Sequence, residues 1–226
     1  MRLILTDITE MHGSNYCVAG WDVQAHRMVR PLPNGSNWTG GLLQLHGINP
    51  GATVDVNPTG QQHASAFPHR TEDTVISNAG IQLANAGPTH WFAAGAPPTQ
   101  VAVNQAFGGH LVHSKTWNGA FQGVYVPETT QIGSLGAVRV PVGQLQPFED
   151  NYKGKTSLRA YLNDGAACYN LPLVAKNLRE TYRLNGLAGV QQLLPAQGLV
   201  HVRLGLARAW AGQPGKCALM INGIYG

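Results

Sequence analysis

The opening of the chain constrains its fold more than any other stretch. Leu3-Ile4-Leu5-Thr6-Asp7 leads to a turn at His12-Gly13-Ser14-Asn15, and Cys17-Val18-Ala19-Gly20-Trp21-Asp22 and Met28-Val29-Arg30-Pro31-Leu32 follow. Short apolar runs punctuated by turn residues read as hairpins of a β-barrel or sandwich. Arg30 stands directly before Pro31, and a proline confines the residue before it to extended backbone. A guanidinium fixed in this way at a strand end suits a bidentate phosphate or carboxylate contact. It suits a structural ion pair or a set of loop carbonyls equally well. Arg27, Trp21 and Trp38 complete this first candidate group.

The rest of the composition agrees with strands and loops. Charged residues make up only 12% of 226, against 28 glycines and 14 prolines, a balance that favours short strands over helical bundles. Fifteen Lys+Arg against eleven Asp+Glu give a net charge of +4. No block of consecutive basic residues is present, which excludes a basic-tail nucleic-acid binder and leaves a patch assembled by folding. Cys17, Cys168 and Cys217 form no C-x-x-C pair. They read as reduced thiols packed as small hydrophobes. No apolar run approaches about 18 residues and no signal-peptide pattern appears, so the expectation is a cytoplasmic protein without a membrane span.

Two domains are expected, 1–95 and 96–226, joined in the Pro- and Gly-rich stretch Ala84 to Gln100. In the first, Leu42 to Leu45, Ala52 to Val56 and Thr74 to Ser77 read as short extended segments. The second alternates more clearly. In Leu199-Val200-His201-Val202-Arg203-Leu204-Gly205-Leu206, the residues Val200, Val202, Leu204 and Leu206 share one face, which turns His201 and Arg203 to the other. A helix is expected near 174–185, with Val174, Leu178 and Tyr182 in one row and Gly186 at its C-terminal end. A second short helix is expected over Gly189 to Leu194.

Several of these segments together resemble the bacterial dual OB-fold (DuOB) domain family. They are Cys17-Val18-Ala19-Gly20 after a His-Gly turn, the strand end Val29-Arg30-Pro31, and His69 to Ile76 preceding Trp91. Further on come Leu158 to Asp164, Arg203 to Arg208 and Ala218 to Ile224. The likeness runs along nearly the whole chain, with Met28 and Asp73 departing from the family pattern. It implies a mainly β protein with minor helices, built as two OB-like small β-barrels in tandem. By analogy it also implies a nucleic-acid or nucleotide ligand, and it transfers no catalytic residue.

The strand Leu158-Arg159-Ala160-Tyr161-Leu162-Asn163 turns Arg159, Tyr161 and Asn163 to one side. His201 and Arg203 are expected on the corresponding side of their own strand. OB-folds hold single strands with an aromatic platform beside cations; equally, any half-exposed strand turns polar residues outward. His63, His69, Glu72 and Asp73 form the richest group of possible acid–base residues, but their spacing matches no established metal or catalytic motif. Glu72 is expected either to bond backbone amides or to pair with Arg70. His110 and His113 lie three apart after Gly108-Gly109, which opposes them on a strand. Phosphate-loop, dinucleotide and nucleophile-elbow patterns are missing, and no cofactor is expected.

The function expected is therefore binding of a polyanion, single-stranded nucleic acid or a nucleotide, through Arg30, Arg159, Tyr161, His201 and Arg203, with Trp21 and Trp38 as further stacking surfaces. One alternative is a nucleotide- or nucleic-acid-processing enzyme centred on His69 and Glu72. A second is a protein-interaction module, which the modest charge favours.

Overall fold

The computed structural model describes residues 1–86, 99–115, 121–152 and 154–226. The chain divides into two compact units, Met1–Pro98 and Thr99–Gly226. The junction expected at residues 95 and 96, and Trp91 with it, lies outside the described residues. Both units are mainly β with few helices.

In the first unit β1 (Arg2–Glu10), β2 (Asn15–Asp22) and β3 (Arg27–Pro33) form an antiparallel meander, and β4 (Trp38–Thr39) pairs with β2. The helix α1 (Gly40–Leu45) precedes β5 (Thr53–Asp55), which pairs antiparallel with β1. Next, β6 (Asp73–Ile76) lies parallel to β3 with Arg30 opposite Asp73, and β7 (Gln82–Asn85) pairs with β5. A bridge from Pro58 to Ile76 joins the chain just past β5 to β6, so the sheet curls. Leu3, Leu5, Ile8, Val18, Val29, Val54 and Trp38 fill its interior. The inward set passes from Leu3 and Leu5 to Ile8 because the β1–β2 register shifts between Leu5 and Asp7, and such a bulge changes which parity faces the core. Leu42 to Leu45, read from sequence as extended, is helical. The Thr39 hydroxyl accepts the Leu42 N–H at 3.2 Å, an N-cap that starts α1.

The second unit adds β8 (Val112–Lys115) and β9 (Phe121–Pro127), then β10 (Leu135–Pro141), β11 (Leu145–Tyr152), β12 (Lys155–Asn163), β13 (Cys168–Pro172), α2 (Lys176–Gln192), β14 (Leu199–Leu206) and β15 (Lys216–Tyr225). One sheet runs β10-β14-β15-β9-β8 and the other β11-β12-β13. A parallel bridge from Leu173 to Ile221 connects the end of β13 to β15. The two expected helices form one element, broken at Gly186, whose φ of 64° and ψ of −166° leave the helical region. Glycine is the residue for which that backbone is cheap.

The units share a connectivity. A first strand serves two neighbours: β1 pairs with β2 and β5, while β10 and β11, joined by one 3-10 turn, pair with β14 and β12. A meander and a helix follow, then an antiparallel partner of the first strand and a strand parallel to the third of the meander (β6 beside β3, β15 beside the end of β13). In the first unit β4 and β7, and in the second β8 and β9, lie outside this shared order.

One expectation is corrected within β14. Val200, Val202, Leu204 and Leu206 are buried as expected, but Arg203 is buried too, at 1% exposure. The strand lies between β10 and β15, where Arg203 faces the small residues Ala137 and Gly223. Paired on both edges, the strand is covered on both faces at this point, and the Tyr225 ring lies over Gly223. No helix of the described residues is long and apolar enough to cross a membrane.

Candidate functional site

The outer face of the β11-β12-β13 sheet carries the exposed group that the sequence pointed to. Leu158, Ala160 and Leu162 go to the core, and Arg159, Tyr161 and Asn163 point away from it. Tyr161 is 42% exposed and stacks on Phe148 of β11, with ring centroids 4.5 Å apart and planes at 11°. The pair makes a flat aromatic shelf. On β12 Arg159 lies two residues away, about 7 Å along the strand. Its Nε donates to Asn170 Oδ1 at 2.6 Å and an Nη to the Asn170 carbonyl at 2.9 Å, while Asp150 lies 3.6 Å away. The side chain is 19% exposed. Burial pulls its pKa below the ordinary arginine value, with Asp150 and Tyr161 opposing that shift.

From Arg159 the face opens into a cleft of about 420 Å³ whose lining includes Asn170, Tyr125, Lys216, Gly212 and Gln213. Ligand clefts commonly hold roughly 300–1,000 Å³. Lys216 Nζ sits 5.0 Å from the centroid of the Tyr125 ring, within the range of cation–π attraction. Trp210, 63% exposed, belongs to the β14–β15 connection. Its ring covers Gly212, where an added Cβ would lie 2.1 Å away. Phe148, Asn170, Tyr125, Lys216 and Trp210 escaped the sequence reading. Alternation in Gly123 to Val126 and in Cys217 to Ile221 was the signal for two of them, since it turns Tyr125 and Lys216 outward.

The first unit holds a different arrangement. Arg30 and Asp73 form an ion pair of 2.8 Å with side chains 5% and 1% exposed. Arg30 Nε also donates to Cys17 Sγ at 3.1 Å, so Cys17 is a polar partner as well as a small hydrophobe. Burial opposes the charge on Arg30, but Cys17, Asp73 and Glu72 outweigh it and raise the pKa above its ordinary value. Ser65 donates to the second oxygen of Asp73, and His63 Nδ1 meets Ser65 Oγ at 2.5 Å. Because Ser65 gives its proton to Asp73, the His63 contact is satisfied with a proton on Nδ1. Together these contacts hold the segment after Pro58 against β3 and β6.

Other expected site residues of this unit are also inside it. Trp38 is buried and its indole N–H donates to the Pro31 carbonyl at 2.8 Å. Trp21 is buried edge-on to His26, with ring centroids 6.3 Å apart. Neither is a stacking platform for a ligand. His69 and Glu72 are buried around one 3-10 turn. Arg70 lies over the Phe67 ring at 5.9 Å. In the second unit His201 is half-buried, and burial first, then Arg139 and Arg203, lower its pKa. His113 stacks on Tyr169 with centroids 5.8 Å apart, and His110 lies outside β8. Among the described residues no group of three or more His, Cys, Asp or Glu side chains is placed to hold a metal ion. All three cysteines are free thiols.

The structure thus brings Arg159 and Tyr161 together on one open face, buries Arg203 and Trp38, and ties Arg30 into an internal network. Comparison with known proteins adds no relative: no family model matches the chain, and no curated protein or solved structure is significantly similar to it.

Proposed function

We propose that the chain binds single-stranded nucleic acid or a nucleotide on the outer face of the second unit. The observation that carries this reading is the juxtaposition of the Phe148–Tyr161 shelf with an anchored Arg159 at the mouth of the Lys216 cleft. Bases stack on such a shelf whatever their identity, and cations beside it neutralise phosphate. A partly desolvated guanidinium held by Asn170 gains from an arriving anion without first losing much side-chain freedom.

The connectivity supports the same reading. A meander, a helix and two strands, with the last strand parallel to the third and the fourth antiparallel to the first, is the order of an OB barrel. In that fold the strand 2–3 face and two of its loops take oligonucleotides. Both units follow the order, in keeping with the resemblance to dual OB-fold domains. Free thiols on all three cysteines accord with a reducing compartment such as the cytoplasm.

The test is oligonucleotide binding at several salt concentrations, read by fluorescence anisotropy. Tyr161→Ala is expected to weaken binding by roughly 1–3 kcal/mol while leaving the salt slope nearly unchanged. Arg159→Ala is expected to flatten that slope by about 0.7, the counterion term of one single-strand phosphate contact. Should neither substitution alter binding, the face is not the site. A wild-type chain that binds no oligonucleotide or nucleotide would remove the reading altogether.

A further inference from the structure

The Arg159 cleft is walled by both sheets of the second unit. Arg159 and Asn170 reach it from β12 and β13, and Tyr125 and Lys216 from β9 and β15. Between them the lining is small: Gly123, Gly212 and Ala218. A Cβ added at Gly123 would meet no atom within 4 Å, so the space above it is open. Across β9 and β15, Tyr125 stands opposite Ala218 and Lys216 opposite Pro127. The Lys216 ammonium lies 5.0 Å from the centroid of the Tyr125 ring. Among the described residues it makes no ion pair, not even with Glu128, which follows its strand partner Pro127.

No carboxylate is among the residues that line the cleft. Asp150 approaches Arg159 at 3.6 Å without lining it. A cleft whose charged walls carry one sign concentrates ions of the other. Arg159 already has its amide partner Asn170 and the nearby Asp150, so Lys216 is the cation with more to gain from an arriving anion. Size narrows the ligand further. A volume of about 420 Å³ stands near the lower end of small-molecule sites, room for one nucleotide unit. A strand held by an OB-fold runs over roughly 4–16 nucleotides, and each of its internal phosphates carries a single charge. A terminal phosphate carries about −1.5 to −2 and has no chain to thread onward.

Resting on the reading of the Phe148–Tyr161 shelf as the base platform, we infer that the cleft receives a phosphomonoester, the terminal phosphate of a nucleotide or of a strand end, with Lys216 bonded to its oxygens. Isothermal titration of the full chain with adenosine and with adenosine 5′-monophosphate tests this. The monophosphate is expected to bind about tenfold more tightly, the worth of one charge-assisted hydrogen bond. Lys216→Gln is expected to erase that preference and to leave adenosine binding unchanged. Gly123→Val, which fills the open space over β9, is expected to do the same, and it decides the matter if the Lys216 variant fails to fold by circular dichroism. Tyr161→Ala is expected to weaken both compounds alike. The inference alone is overturned if a chain that binds oligonucleotides shows no preference for the monophosphate, or if Lys216→Gln keeps the preference. Unaltered binding in Tyr161→Ala overturns the shelf reading beneath it, and a chain that binds no nucleoside, nucleotide or oligonucleotide overturns both. Oligonucleotides with a terminal phosphate and with hydroxyl ends separate the two sources. Tighter binding of the phosphorylated strand, lost in Lys216→Gln, identifies a strand end. Equal binding, with the monophosphate preference retained, identifies a free nucleotide.

Discussion

The two units share a meander, a helix and a closing parallel pairing, and they use arginine in opposite ways. In the first unit, Arg30 is enclosed and its nitrogens are engaged by Asp73 and Cys17. In the second, Arg159 is anchored by the Asn170 amide, has the half-exposed Asp150 at 3.6 Å, and lines a cleft. A buried cation against a carboxylate fixes a local structure, because exposing either charge alone is costly. The half-exposed pairing of Arg159 with Asp150, at 3.6 Å, is looser than that of Arg30 with Asp73. How deeply an arginine and its carboxylate are buried, more than its place on the fold, separates the enclosed pair of the first unit from the open one of the second.

That contrast can be broken by substitution. The largest effect is expected from Asp73→Ala, which takes from the buried Arg30 the carboxylate it pairs with at 2.8 Å and also removes the acceptor for Ser65. Denaturant unfolding should show a loss of about 3–5 kcal/mol, and a loss below about 1 kcal/mol would mean that the network is not structural. Within the second unit, Leu204→Ala should cost about 2–5 kcal/mol through the cavity it leaves. Arg203→Ala should cost a smaller but clear amount, about 1–3 kcal/mol, as its buried neighbours lose their partner. Intact stability in the Arg203 variant, with weakened oligonucleotide binding, would move Arg203 back to a ligand-facing role.

A milder effect concerns pH. Burial first, then the Asp164 carboxylate, pushes the Tyr169 phenol from its usual 10.0 up to about 12. An acid whose folded pKa lies above its unfolded pKa keeps its proton better when folded. Its contribution to stability is complete below pH 10 and is lost as the pH rises towards about 12. Unfolding curves across that window should show the decline in wild type and a shallower one in Tyr169→Phe. An equal decline in both would assign the effect to other groups.

The core of the second unit was legible because alternation over Val200 to Leu206 states an inward face directly. The break at Gly186 was legible too, since glycine ends helical order wherever a non-helical φ is needed. The helix α1 was missed because six residues are too few to establish a 3.6-residue period, although Thr39 carried the N-cap signal. Burial of Arg203 escaped for another reason. Alternation assumes that one face of a strand meets water, and β14 is covered on both. Arg30 was legible as a rigid guanidinium, but its partner Asp73 stands 43 residues away and is brought to it by parallel pairing. Trp210 lies in an irregular connection without periodicity, so nothing in its neighbours announced an exposed ring.

The parallel pairing that completes each unit has a kinetic consequence. Joining β3 to β6, or the end of β13 to β15, brings together segments far apart in sequence, and such contacts form slowly because the intervening loop must close first. In the first unit four residue pairs from Arg30 to Pro33 build that seam, and an ion pair pins it. In the second, the Leu173–Ile221 bridge and the Val174 amide to the Ile221 carbonyl at 3.0 Å hold it. Local opening should therefore begin at the second seam, where amide hydrogen exchange at Val174 outpaces that at Arg30. The unit whose arginine lines an open cleft is also the one expected to have the more easily undone closure.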